Sequence, residues 1–242
     1  MIDGLLLIHA FPMDASMWEP QQAALTGTAV AAPNLPGFGD APGAGPVMSM
    51  GSAAAACLQA LDAAQMERVA VCGLSMGGYV AFELWRMARQ RVAGLILANT
   101  RSEADTPEAA AGRRALGRRL RSEGSEFLVN EPPPLLRQEA PDALWAQVRA
   151  TIARQPAETI AAAALGMAER PDSTRDLSAI DVPALVITSD GDTLIPPEIT
   201  AVIADRIPGS ELVTIAGAGH LSNLEAPQAF NEALAPFLDR LT

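Results

Sequence analysis

The stretch that most limits what this chain can fold into is Val69-Ala70-Val71-Cys72-Gly73-Leu74-Ser75-Met76-Gly77-Gly78-Tyr79-Val80. A short apolar run, one serine between glycines and a helix-compatible continuation spell strand, sharp turn, helix. The spacing from Gly73 to Gly77 is Gly-x-Ser-x-Gly, that of a nucleophile elbow. A serine on such a turn sits in a strained backbone conformation. Its flanks come so close to other backbone that glycine is required at 73 and 77. The turn lifts the Ser75 hydroxyl above the sheet edge. It also sets the backbone N–H of Met76, at the start of the next helix, beside any oxyanion formed there. A glycine-rich turn with a chance serine would look the same in isolation, so partners elsewhere in the chain must decide.

The 242 residues suffice for one α/β domain with an inserted piece, and 49% hydrophobic against 19% charged residues allow a large core. A net charge of −11 lacks the basic footprint of a nucleic-acid binder. All 17 basic residues are arginine, which excludes Schiff-base and P-loop lysine chemistry. Cys57 and Cys72 read as small buried hydrophobes, with neither a disulfide framework nor a zinc site in view. The start Met1-Ile2-Asp3-Gly4-Leu5 has no basic region and only a short apolar run, so no signal peptide is expected. No window reaches membrane-span length. The expectation is a soluble, cytoplasmic protein.

Apolar runs mark further strands at Leu5–Ile8, Thr28–Ala32, Arg68–Gly73, Val92–Ala98, Pro183–Thr188 and Glu211–Ile215. Helices are expected over Ser49–Ala64 (capped by Ser49 or Ser52), Met76–Gln90, Glu198–Arg206 and Ala226–Leu241. This alternation predicts an α/β fold with a mostly parallel, doubly wound sheet. Residues 101–178 break the pattern. They carry helical stretches rich in Ala, Arg and Glu, and no strand. They are expected to form a helical lid inserted after the fourth strand of a core made of residues 1–100 and 179–242. In open α/β sheets, ligands bind beyond the carboxyl ends of the strands. The loops after the strands are therefore where the chemistry should lie.

Two histidines are present. His9 follows the first strand and His220 the last. The loop Ser189-Asp190-Gly191-Asp192-Thr193-Leu194 offers two acids between Ser75 and His220. A Ser, an acid and a His in that order, each after a strand, match a hydrolytic triad.

His9-Ala10-Phe11-Pro12, Pro36-Gly37-Phe38-Gly39, Gly73-Leu74-Ser75-Met76-Gly77-Gly78, the Asp192 loop and Gly219-His220 occur in order. On these the sequence resembles the α/β-hydrolase superfamily along nearly its whole length. It looks most like lidded serine esterases and lactonases, with an elbow similar to that of 3-oxoadipate enol-lactonases. The resemblance implies several things. Counted from Pro183, the family's acid falls on Asp192, leaving Asp190 to the turn that Asp-Gly signals. Asp40 and Glu225 are lesser candidates, Glu225 as a structural hydrogen-bond partner. Phe11 and Met76 N–H groups would form the oxyanion hole. His9 would be a buried structural histidine. The sheet would have about six strands, lacking the family's N-terminal hairpin. Ala10 stands where the family has glycine.

Met13, Trp18, Leu194 and Leu221 are candidates for lining the substrate pocket. Arg113, Arg114, Arg118, Arg119 and Arg121 cluster around Leu116 and Leu120. One of them could clamp an anionic substrate. However, residues 101–178 hold 12 acids against 11 arginines, and a solvated helix face is the preferred reading.

The expected reaction is hydrolysis of a small-molecule carboxylic ester or lactone through an acyl-enzyme, with no metal or organic cofactor. C–C bond hydrolases, thioesterases and perhydrolases share the triad. Serine at the elbow argues against dehalogenases and epoxide hydrolases. A non-catalytic ligand-binding protein is the reading from a different class. Nothing in the sequence fixes the oligomeric state.

Overall fold

The apolar runs do form strands, and the strands form one sheet. The structure is a computed structural model that describes residues 2–43 and 45–241. Met1 and Thr242, at the ends of the expected core, and Ala44 lie outside the described residues. The strands are β1 (Gly4–Ile8), β2 (Val30–Ala31), β3 (Val69–Leu74), β4 (Val92–Ala98), β5 (Ala184–Ser189) and β6 (Glu211–Ile215). They pair in the order β2-β1-β3-β4-β5-β6, every pair parallel. Every residue of β1, β3, β4 and β5 is buried, as a parallel sheet covered on both faces requires. That is why these strands appear in the sequence as continuous rather than alternating apolar runs. The edge strands β2 and β6 are partly exposed.

The sheet reverses direction of growth between β1 and β3. The loops leaving these two neighbours diverge and open a crevice between them. The loop after β1 begins His9-Ala10-Phe11, and the turn after β3 is Ser75. Topology alone thus sets Phe11 beside Ser75.

The helices of the core are α1 (Glu19–Ala24), α2 (Met50–Ala63), α3 (Met76–Met87), α8 (Pro197–Arg206), α9 (Ser222–Glu225) and α10 (Pro227–Asp239). Ser49 caps α2, its hydroxyl accepting from the Ser52 N–H at 3.0 Å. Helix α3 ends at Met87, earlier than expected; Ala88 turns to φ −149° and one 3-10 turn, Arg89–Arg91, leads into β4. The 3-10 turn Ala15–Trp18 and α1 were not anticipated. The local signals were present, an Asp14 cap that accepts from the Ser16 N–H and a Pro in the first turn of α1. The elements are too short to carry a helical period.

Between β4 and β5 come only helices: α4 (Pro107–Glu123), α5 (Glu126–Asn130), α6 (Asp142–Arg154) and α7 (Ala157–Ala168), with a 3-10 turn at Leu177–Ala179. Thr106 caps α4 through the Ala109 N–H. Helices α4 and α7 pack together, with Gly117 of α4 set closely against Leu165 and Ala161 of α7. Buried Ile160, Ala161, Ala162, Ala163 and Ala164 give α7 an apolar surface nearly all round. Helix α4 is exposed along most of its length.

Candidate active site

The elbow has the strain its motif demands. Ser75 adopts φ 56° and ψ −115°, left-handed territory for a residue with a Cβ. A Cβ at position 73 would run into the backbone of Gly77 and Gly78, and one at position 77 into the Ile8 carbonyl at the end of β1. The glycines therefore let α3 start directly beneath the turn and against the neighbouring strand. Met76 is the first residue of α3, so its N–H has no acceptor inside the helix.

Three consecutive residues at the end of β4 bind this turn to the other candidates. The Ala98 carbonyl accepts from the Ser75 N–H at 2.9 Å. The Thr100 hydroxyl donates to the Ser75 carbonyl at 2.8 Å. Between them Asn99, fully buried and at φ 44°, donates from Nδ2 to the Ser189 hydroxyl at 2.7 Å and to Asp192 Oδ2 at 3.0 Å. Its Oδ1 accepts from the Ser222 hydroxyl at 2.6 Å. The loops after β3, β5 and β6 are thus tied together through the end of β4. Sequence reasoning did not single out Asn99 or Thr100. Their one signal was position, directly after a strand.

Asp192 and His220 meet. His220 Nδ1 lies 2.8 Å from Asp192 Oδ2, and both side chains are wholly buried. Asp192 Oδ1 accepts from the N–H groups of Leu194 and Ile195, each at 2.9 Å. Burial is the largest single influence on this carboxyl and opposes its ionisation. The His220 hydrogen bond and charge, the Ile195 N–H and the Asn99 amide together outweigh it, and the pKa is held below the ordinary value. An ionised Asp192 can only accept. The Nδ1 of His220 therefore carries a proton, and in the neutral imidazole Nε2 is the nitrogen with the lone pair. Among the described residues that buried Nε2 has no hydrogen-bond partner.

Asp190 takes the turn role, accepting from the Gly217 N–H at 2.7 Å. Glu225 is structural: it accepts from the N–H groups of Gly219 and Arg137 and pairs with the Arg137 guanidinium. Asp40 accepts from Asn34 on the surface. His9 is fully buried, its Nε2 accepting from the Leu35 N–H at 3.0 Å and its Nδ1 lying 3.0 Å from the Ala10 carbonyl. Burial pushes its pKa down to about 4. Cys57 and Cys72 are buried free thiols, and burial raises the pKa of both. Among the described residues no group of three or more His, Cys, Asp or Glu side chains could hold a metal ion.

A cavity of about 470 Å³ opens over the elbow, lined by Ser75, Phe11, Tyr79, Leu194 and Ile195 from the core side. Leu116, Leu128, Leu135 and Met167 face them from the helical segment, with Arg101, Asp105 and Arg113 as its main polar wall and Glu131 also lining it. Of the expected pocket residues, Leu194 is in place. Met13, Trp18 and Leu221 do not line this cavity. The chain folds back after Phe11, and the Met17 sulfur accepts from the Ala10 N–H. Met13 then lies in the core, and Trp18 packs against Phe230 with ring centroids 5.9 Å apart. Leu221 is buried, its N–H bound to the Leu135 carbonyl at 2.8 Å.

Of the clustered arginines, Arg113 reaches the cavity. Arg114 and Arg118 are exposed, while Arg119 pairs with Glu123 and Arg121 with Glu158 on the surface. The solvated-face reading holds for these four. None of the described helices is long and apolar enough to cross a membrane.

The chain is similar to known esterases and lactonases. Pimeloyl-[acyl-carrier protein] methyl ester esterase of Neisseria meningitidis is 30% identical over 248 residues, covering 98% of this chain and 94% of that protein. The structure of a thermophilic esterase from Thermogutta terrifontis, with malate bound, superposes with a TM-score of 0.93 at 39% identity over 98% of this chain and 89% of that one. The enol-lactonase from Burkholderia xenovorans matches with a TM-score of 0.86 at 27% identity over 99% and 95%. A profile of the alpha/beta hydrolase family matches residues 5–233. With its all-parallel six-stranded sheet and strained serine turn, the chain belongs to the alpha/beta hydrolase family.

Proposed function

We propose that this protein hydrolyses carboxylic esters or lactones of small molecules through an acyl-enzyme on Ser75. The observation that carries the reading is the His220–Asp192 bond of 2.8 Å, which leaves Nε2 as an unengaged base. In this mechanism Nε2 takes the Ser75 proton as Oγ bonds to the substrate carbonyl carbon. Asp192 holds the ring and stabilises the imidazolium. The N–H groups of Phe11 and Met76 receive the charge on the carbonyl oxygen, as fixed donors that need no reorganisation. Collapse of the tetrahedral intermediate breaks the bond to the leaving oxygen, which takes the proton from His220. Water, deprotonated by the same imidazole, then releases the acid and frees Ser75.

Helices α4–α7 act as the lid over this site, in a division of residues 1–100 and 179–242 from 101–178. The relatives named as esterases and an enol-lactonase support ester and lactone bonds as the class. A net charge of −11 and a partly enclosed, largely apolar cavity suit a small molecule rather than nucleic acid. We place the protein in the cytoplasm on the features of its sequence.

The test is kinetic. Ser75→Ala should keep the fold by circular dichroism and lose p-nitrophenyl ester and lactone hydrolysis by about 10⁴-fold or more. Retention of most activity would remove Ser75 from the mechanism.

A further inference from the structure

Among the described residues, one arginine lining the cavity above Ser75 has an unengaged guanidinium. Arg101 lines the cavity and is partly buried. Among the described residues its side chain makes no hydrogen bond, ion pair or ring contact. Arg113 and Asp105, which share the cavity lining, are already paired. Asp105 is held by Arg113 at 2.6 Å and by buried Arg170 at 2.7 Å. Burial opposes its ionisation most strongly, but the two guanidinium groups outweigh this and keep the carboxyl below its ordinary pKa. Arg170 also lies over the Tyr79 ring at 4.2 Å. Of these three, Arg113 and Asp105 line the cavity, and Glu103, whose carbonyl binds Arg170, has a buried Oε2 with no hydrogen-bond partner among the described residues. Glu131, the other acid of the cavity lining, is exposed.

Arg101 is also well anchored. Its predecessor Thr100 donates to the Ser75 carbonyl and accepts from the Thr200 hydroxyl at 2.9 Å. Its successor Ser102 is buried, and the Ser102 carbonyl accepts from the Ser173 N–H at 2.8 Å. The backbone is thus fixed on both sides, one residue from a group bonded to the candidate nucleophile.

We infer that Arg101 is a specificity-determining residue that binds a carboxylate carried by the substrate, so that the esters this enzyme prefers are half-esters or lactones bearing a free acid group. The inference rests on the hydrolase reading above. A single free guanidinium fork matches one planar carboxylate, through two parallel N–H···O bonds. The partly enclosed wall strengthens that pairing relative to an exposed ion pair. A charge-assisted pair of this kind corresponds to about 10- to 100-fold in binding.

The experiment compares the p-nitrophenyl monoester of glutaric acid with the neutral p-nitrophenyl valerate, in the wild type and in Arg101→Gln. The readout is the ratio of kcat/KM for the acidic ester to that for the neutral one. We expect Arg101→Gln to lower this ratio about 10- to 100-fold, mainly through KM of the acidic ester, and rising salt to lower it in the wild type. A ratio within twofold of wild type overturns the assignment.

Titration of glutarate itself into Ser75→Ala keeps the test independent of turnover. Binding to Ser75→Ala, lost in Ser75→Ala/Arg101→Gln, supports the site; equal binding to both, or to neither, overturns it. If the wild type cleaves neither ester while glutarate binding depends on Arg101, the hydrolase reading fails and the carboxylate site stands.

Discussion

The floor of the cavity and its roof are built on different physical terms. The floor is the set of turns beyond β3, β4, β5 and β6, bound to one another by buried hydrogen bonds through Ala98, Asn99 and Thr100. The roof, helices α4–α7, is attached to the core at its rim. Gln155 donates to Asp14 at 2.7 Å and accepts from the Gly39 N–H. The Thr159 hydroxyl donates to the Gly37 carbonyl, and the Met48 N–H to the Ala162 carbonyl. Gly166 brings α7 against the backbone of Met48. The roof is seated through the ends of α6 and α7 and through the loop between α5 and α6, where Leu135 binds Leu221 and Arg137 binds Glu225, while α4 lies outermost and supplies Arg113 and Leu116 to the cavity. A buried, interlocked floor suits a reaction that needs fixed geometry. A roof outside the network of Ala98, Asn99 and Thr100 can vary its inward side chains without disturbing that geometry. Substitutions in the floor should change the rate for every ester alike, and substitutions in the roof should mainly change which ester is preferred.

The largest effect is expected at the floor's hydrogen-bonded pair, Asp192 and His220. Asp192→Asn keeps the shape of the side chain but removes the acceptor that fixes the His220 tautomer. It should lower kcat by about 10³–10⁴-fold, equally for acidic and neutral esters. A loss confined to one ester class would break the division between floor and roof.

Next is a stability effect with a defined pH window. His9 is buried and neutral, with Nε2 accepting the Leu35 N–H. Its folded pKa, about 4, lies below the ordinary 6.5, so on acidification the unfolded chain binds this proton first. The contribution is complete above pH 6.5 and is lost as pH falls toward 4, amounting at most to roughly 3 kcal/mol. Urea titrations of the wild type should show that slope, and His9→Gln should flatten it. Asp14, Asp105 and Asp192 have lowered pKa values. Their contributions hold above the ordinary carboxylate value and are lost below it, so they leave the histidine window clear. An unchanged slope in His9→Gln would contradict the burial argument.

Asn99→Ala strips the floor of its central connector and leaves buried partners on Ser189, Asp192 and Ser222 under-satisfied. It should cost about 1–3 kcal/mol in stability and reduce kcat for all esters with little change in KM. Differential scanning calorimetry and a two-ester assay check both. The smallest effect is expected at the rim: Gln155→Ala should cost about 1 kcal/mol, measured by urea unfolding. It should shift the preference among esters more than it lowers the rate of the best one.

The same contrast explains what could be read in the sequence. Fully buried parallel strands give continuous apolar runs, so β4 falls on the expected residues, as does the partly exposed edge strand β6, and each candidate triad member follows a strand. Glycines 73 and 77 are diagnostic because a Cβ there meets backbone, which has nowhere to go. Two kinds of information were not legible. Asn99 and Arg101 follow a strand too, but neither belongs to a spaced motif, and their roles depend on which distant loops they touch. Trp18 and Met13 are near the candidate oxyanion donor Phe11 in sequence, but the turn after Phe11 carries them into the core. In the roof, α4 has arginines all round. Only packing against α7 decides that Arg113 looks inward and Arg118 outward.

The central claim is that Ser75 is the nucleophile, made reactive by the His220–Asp192 pair. Treating the protein with a fluorophosphonate and mapping the adduct by peptide mass spectrometry tests it directly. The account predicts one phosphonyl group per chain, on Ser75, formed far more slowly in His220→Ala. Labelling at another residue, or none in folded wild-type protein, would contradict it.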